Sequence, residues 1–255
     1  MKIYYNSVGY NTVNVKGGLM NLLTVSFEAV GNANGKATLN DVMGTAGLTS
    51  YGDQAGDYID TWDMEAGNWG TRYFYVNDPS WNYTDEETGK LIDYTDTWAD
   101  GDLVPCNPEM NPGSSFWLYS INDIPALQFA GQVASGTISY TLTGGTMNLC
   151  GNPYPMSLNL SDKSQVTING ATSYGEEAGD YVDTWNLATA NWGTRYFYVN
   201  DPSWNYTDEE TGKLIDYTDT WADGDLVPCA TDIVAGSGFW YYAVADGVTV
   251  TFSAK

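Results

Sequence analysis

Four aspartates fall within ten residues in the run DYTDTWADGD: Asp93, Asp96, Asp100 and Asp102. The same run returns as Asp216, Asp219, Asp223 and Asp225. Clustered carboxylates beside a glycine are hard oxygen donors of the kind Ca²⁺ takes, about six to eight at a time. Asp78, in the neighbouring turn, is a further donor. The spacing is not that of an EF-hand loop, because Asp-x-Asp-x-Asp-Gly is missing. A solvated acidic loop that keeps a β-rich chain soluble and blunts its edge strands is the competing reading, and it weighs more. Calcium is the one cofactor the sequence raises, and none is required.

A second chemistry is carbohydrate recognition. Sugars stack their apolar faces on exposed Trp or Tyr and hydrogen-bond to Asp, Asn and Thr. Trp81, Tyr83 and Trp98, with their repeats Trp204, Tyr206 and Trp221, are the candidates. The structural alternative is that aromatics favour strands and pair across them, which must claim most of these rings. A third chemistry is hydrolysis by a carboxylate pair. The chain has no histidine, so His-based triads, His zinc sites and an ordinary pH switch are excluded. Acidic pairs are commonplace among 32 Asp and Glu. An enzyme also needs one deep cleft, whereas this chain duplicates a small unit. No catalytic residue is assigned, and the chain reads as a non-enzyme.

The candidate residues all lie in one stretch used twice. Asn68 to Cys106 recurs without a change from Asn191 to Cys229, 39 residues at an offset of 123 in a chain of 255. Each copy holds eight acidic and eight aromatic residues. Identity that is uniform over strands, turns and loops points to recent duplication rather than to a site, since core and surface positions tolerate different changes.

The elements around this stretch read as strands. Val8 to Val15 alternates, with Val13 and Val15 on one face. Leu19 to Val30 reads as a second, more buried strand. Leu39 to Met43 reads as a single helical turn capped by Asn40 or Asp41. DYIDTWD and TRYFYVN follow, the latter with Tyr73 and Tyr75 on one face and Phe74 and Val76 on the other. Asp78-Pro79-Ser80 is a turn, and Gly89 closes a hairpin loop between Trp81–Tyr83 and Leu91–Tyr94. Ser115 to Ser120 and Ala126 to Val133 complete the first unit.

The second unit repeats this plan, first at offset 127 and then at 123, so the first carries four extra loop residues. The sequence predicts an all-β chain of two tandem, homologous β-sandwich-like or partly closed barrel domains, residues 1–132 and 133–255, abutting without a flexible linker. The first has an extra N-terminal segment, which could add a strand to a neighbouring molecule or fold back on its own unit.

Only 9 Lys and Arg face those 32 acids, for a net charge of −23. Nucleic acid and anionic membrane surfaces are excluded as favoured partners. An extracellular glycan or another copy of the chain remains. Cys106, Cys150 and Cys229 are too few for a disulfide framework. Cys106 and Cys229 could bridge if the units pack about a pseudo-twofold axis, with two small buried thiols as the alternative. No transmembrane run or signal peptide is present, which leaves a cytosolic protein or the mature form of an exported one; few lysines with many Asn, Thr, Gly, Tyr and Trp favour the exported, extracellular or cell-surface reading.

SVGYNTVNV, the twins GDYIDTW and GDYVDTW, and the closing GSSFWLY and GSGFWYY resemble secreted β-rich repeat proteins of unknown function from planctomycete, verrucomicrobial and lentisphaeral bacteria. In that family a Val-Gly-Tyr strand follows the cleaved signal peptide and a Gly-x-Gly-Phe-Trp strand ends each unit. NLCGNPYP, from Asn148 to Pro155, is similar to a turn of secreted β-sandwich modules in related bacteria. The first unit departs from it with NLLTVSFE. The resemblance implies export, and brings no catalytic residue or ligand.

Overall fold

The computed structural model describes residues 7–31, 37–52, 55–175 and 178–253. It is all-β, built from antiparallel sheets with no closed barrel. The first half runs β1 (Val8–Val15), β2 (Leu19–Thr24), α1 (Leu39–Val42), β3 (Tyr58–Asp63), β4 (Asn68–Val76), β5 (Tyr83–Thr84), β6 (Leu91–Ile92), β7 (Thr97–Ala99), β8 (Pro105–Cys106), β9 (Ser115–Ser120) and β10 (Ile124–Gln132). The second runs β11 (Thr137–Leu142), β12 (Thr146–Gly151), β13 (Leu158–Asn159), β14 (Val166–Asn169), β15 (Tyr181–Asn186) and β16 (Asn191–Val199). It closes with β17 (Tyr206–Thr207), β18 (Leu214–Ile215), β19 (Thr220–Ala222), β20 (Asp232–Ile233), β21 (Gly238–Ala243) and β22 (Val248–Ser253). Every sheet draws its strands from one half alone.

Each half is a large sheet covered by a small one. In the first, β2-β9-β3-β4-β7-β8 lies against the pair β1-β10; in the second, β12-β21-β15-β16-β19 lies against β11-β22-β14. The alternation in β1 works as the sequence suggests: Val13 and Val15 face inward and join Leu127 and Phe129 of β10. Ile59, Tyr75, Trp98, Phe116 and Leu118 meet them from the large sheet. The second core repeats the scheme with Val182, Tyr198, Trp221, Phe239 and Tyr241 against Leu142, Val166, Val248, Val250 and Phe252.

Two local expectations change, and one left open between two alternatives takes the second of them. β2 stops at Thr24 rather than running to Val30, because Thr24 N donates to Gly236 O and Val25 N to Ser114 O, which turns the chain out of the ladder. The cap of α1 is Thr38, not Asn40 or Asp41; Asp41 instead reaches back from the third position and accepts from Thr38 N at 3.0 Å. β1 is paired along its length with β10, from Val8 opposite Gln132 to Val15 opposite Ile124. That strand is therefore folded back on its own half, and residues 1–6, the remainder of the added segment, lie outside the described residues.

Buried polar groups pin the repeats. Asn21 and Asn148 each accept from a turn N–H and donate to turn and neighbouring-strand carbonyls. Asp57 and Asp180 are fully buried. Asp57 accepts from Thr49 N, Ser120 Oγ and Ile121 N; Asp180 accepts from Tyr241 Oη and Val244 N, both at 2.9 Å. Burial pushes the Asp180 carboxyl above the usual range, against the pull of those donors. A raised folded pKa means the protonated form is favoured by folding, so this contribution is complete below the unfolded pKa of about 3.9 and fades as pH rises through the folded value. The melting temperature of the native chain minus that of Asp180→Asn should thus fall between pH 4 and pH 7 in scanning calorimetry. A difference that rises over this window overturns the assignment.

Candidate functional site

The outward faces of the two large sheets are aromatic, and they meet. In the ladder of β3 and β4, Asp60 lies opposite Arg72 and Trp62 opposite Trp69, with a register shift between. β4 therefore has one residue more than β3 over this span. Strict alternation would send Trp69 inward with Tyr73 and Tyr75; the bulge instead brings it out beside Arg72 and Phe74. Gly70 permits this, since a Cβ there would lie 2.6 Å from Thr61 Oγ1. The turn before it is set by Asp63, whose carboxylate accepts from Glu65 N and Ala66 N. Trp185, Gly193 and Trp192 repeat the arrangement on β15 and β16.

Trp117 of β9 and Trp240 of β21 then cross over. Trp240 packs edge-on against Trp62 with centroids 4.7 Å apart, and Trp117 against Trp185 at 4.8 Å and Trp192 at 6.0 Å. Each half thus packs its own tryptophan on the other half's hairpin. Leu22 and Leu149 fill the centre of this junction. Each such aromatic pair is worth about 0.5–1.5 kcal/mol beyond the area it buries. The indole N–H groups of Trp62, Trp117 and Trp185 have no acceptor among the described residues. Hydrogen bonds also cross it: Ser26 Oγ donates to Asn152 O, Ser115 Oγ to Cys150 O and Tyr140 Oη to Pro112 O.

Where the faces diverge, they leave a cleft of about 460 Å³, within the range of about 300–1,000 Å³ for small-molecule sites. Trp62, Trp69 and Trp117 come from one half, and Trp192, Trp240, Tyr181, Asp183 and Arg195 from the other. Trp69 and Trp192 remain 56% and 53% exposed, so both indoles are open to a ligand. On the wall, Arg195 Nε and Nη2 donate to Asp183 at 2.6 and 2.8 Å, and the guanidinium lies 4.2 Å from the centre of the Tyr181 ring. Tyr181 in turn stacks on Tyr242 at 5.0 Å. Arg72, Asp60, Tyr58 and Tyr119 form the same stack in the first half.

The residues singled out in the sequence are placed differently. Trp98 and Trp221 are fully buried in the two cores and present no face to a sugar, because both indoles pack among the inward side chains between the large and small sheets. Trp81 and Trp204 are half-buried in single 3₁₀ turns, edge-on to Tyr94 and Tyr217. Tyr83 and Tyr206 are exposed on the small hairpins β5-β6 and β17-β18. None of the six lines the cleft.

The acidic clusters serve turns. Asp93 accepts from Thr95 N, and these Thr95 hydrogen bonds hold its carboxyl below the usual range. Asp96 accepts from Tyr75 Oη at 2.8 Å; burial first, then this bond, push the tyrosine up to about 12. Asp100 accepts from Asp102 N and Val104 N. Asp216, Asp223 and Asp225 repeat these roles, while Asp219 accepts from Tyr198 Oη and also from Lys163 Nζ at 2.8 Å. Asp78 accepts from Ser80 N. Among the described residues, no three acidic or thiol groups converge so as to hold a metal ion. Cys106, Cys150 and Cys229 are all free thiols, although the halves do exchange reciprocal contacts.

The residues that sequence reasoning passed over are Trp62, Trp69, Trp117 and their partners. One local signal was present: Trp62 and Trp69, like Trp185 and Trp192, flank a short turn symmetrically, as a cross-strand pair must. No protein-family model, curated protein or solved structure matches this chain.

Proposed function

We propose that the chain is a non-enzymatic, exported interaction module whose binding surface is the aromatic cleft where its two halves meet. One observation carries this reading: six tryptophans from both halves gather at one junction, and two of them keep more than half of their surface open to solvent. Exposed tryptophan is costly to leave in water, and an apolar surface rimmed by polar groups marks an interaction site. The wall of the cleft carries one carboxylate, Asp183, already bidentate to Arg195. Glycosidase chemistry needs two, about 5–10 Å apart. Export rests on the composition and the family resemblance. No helix among the described residues is long and apolar enough to cross a membrane.

The test compares the native chain with the double variant Trp69→Ala/Trp192→Ala on an array of extracellular polymers, spanning neutral glycans, acidic glycans and peptides. At least one immobilised polymer should retain the native chain and lose roughly tenfold or more of its affinity for the variant. Retention of no polymer, or retention equal for both chains, overturns the proposal. Circular dichroism of the variant should be native-like, because both side chains are largely exposed.

A further inference from the structure

Resting on that reading, the geometry points to an uncharged oligosaccharide as the ligand, one per chain, held between the indole faces of Trp69 and Trp192. A sugar ring is an apolar face fringed by hydroxyls, and the cleft offers the complement of both parts. Trp69 and Trp192 are half-exposed indoles from opposite halves, with Trp62, Trp117 and Trp240 behind them. Beside them Asp183 and Arg195 supply acceptors and donors in fixed positions. Two of the five N–H groups of the arginine hold the carboxylate, and the side chain is half-exposed, so that a ligand hydroxyl can reach it.

Charge selects the class. The molecule carries −23, which repels an anionic polysaccharide at long range. A quaternary ammonium ion would be drawn to an aromatic box, but here the cationic position over Tyr181 is already filled by Arg195. That guanidinium neutralises Asp183 and would oppose a second cation. A locally neutral, aromatic, hydrogen-bonding cleft on an acidic body fits an uncharged sugar. The position of the cleft sets the stoichiometry. It takes residues from both halves, so the duplicated segments build one composite site rather than two separate ones.

The experiment is a titration of intrinsic tryptophan fluorescence, with calorimetry for stoichiometry, on the full chain. The probes are the hexaoses of β-1,4-glucan, β-1,4-mannan, β-1,4-xylan, α-1,4-glucan and N-acetylglucosamine, with hexagalacturonate and choline as charged comparators. At least one neutral hexaose should shift the emission at millimolar concentration or below and bind one per chain. Trp69→Ala and Trp192→Ala should each weaken it roughly tenfold or more, and Arg195→Gln should weaken it with the aromatic faces intact. Trp81→Ala with Trp204→Ala should leave it within about twofold. Silence from all five neutral hexaoses overturns the sugar assignment, as does a stoichiometry of two, or binding that survives both cleft variants. Binding of hexagalacturonate or choline alone, lost on Trp69→Ala, overturns the sugar but leaves the interaction module standing. Loss of all polymer retention in the array overturns both.

Discussion

Valine at position 151 is expected to lower the melting temperature by roughly 10 °C and to loosen the contact between the two halves. Gly151 ends β12 against the first half. A Cβ on it would lie 2.3 Å from Thr24 Oγ1 and Cγ2 and 2.4 Å from Ser115 Oγ. Neither side chain has room to yield, since Thr24 and Ser115 are buried and hydrogen-bonded to each other at 2.5 Å. Ser115 Oγ also donates to Cys150 O across the junction. Overpacking a close-packed site costs about 1–3 kcal/mol, and stranding a buried hydroxyl about 1–3 kcal/mol more. Together they give about 3 kcal/mol or more. Calorimetry reads the midpoint, and the appearance of two transitions would mark halves that unfold independently. A Cβ added at Gly101 would meet nothing within 4 Å, so Gly101→Ala should stay within about 0.5 kcal/mol of the native chain. Equal melting of both variants would refute the close contact at Gly151.

Alanine in place of Trp98 or Trp221 should remove about 3–5 kcal/mol of stability each, as expected of a fully buried indole replaced by a methyl group. The two positions occupy identical segments, so any difference must come from their surroundings. Trp98 has Tyr75 at 5.7 Å. Trp221 has Tyr198 at 5.7 Å and also Tyr241 at 5.9 Å, where the first half places Leu118. The extra ring should make Trp221→Ala the costlier by about 0.5–1.5 kcal/mol. Thermal melting of the two single variants checks the order. Stability left within about 0.5 kcal/mol of native by either change would mean that these rings are at a surface, as a sugar-stacking role would require.

These two residues also mark the limit of what the sequence discloses. The all-β class, the strand alternation in Val8–Val15 and the opposed faces of Tyr73 and Phe74 follow from period and propensity, which are local. Trp98 and Trp69 differ by something that is not local. Both are strand tryptophans in an acidic, aromatic stretch, and pattern alone treats them alike. The bulge at Gly70 reverses the facing of Trp69, and a shift of one residue in register is invisible to alternation. Trp98 is buried because its face of the large sheet is covered by the pair β1-β10, and that packing joins segments far apart in the chain. Trp117 lies in a run that reads correctly as a strand, but its partner Trp185 belongs to the other half. The aspartates failed to converge for a simpler reason. Asp93, Asp100 and their repeats satisfy the N–H groups of their own turns, and Asp96 and Asp219 accept from tyrosine hydroxyls, so that these carboxylates are drawn to separate partners rather than to one ion.

The exchange of Trp117 and Trp240 is reciprocal: what each half presents is what the other receives. That is the signature of an isologous contact, one that a single half could make with a second copy of itself. The chain therefore has the internal geometry of a homodimer joined into one polypeptide. Joining fixes the pairing at any concentration and frees each half to change alone. The helix in one half and the strand β14 in the other are what that freedom looks like after symmetry has ceased to be enforced.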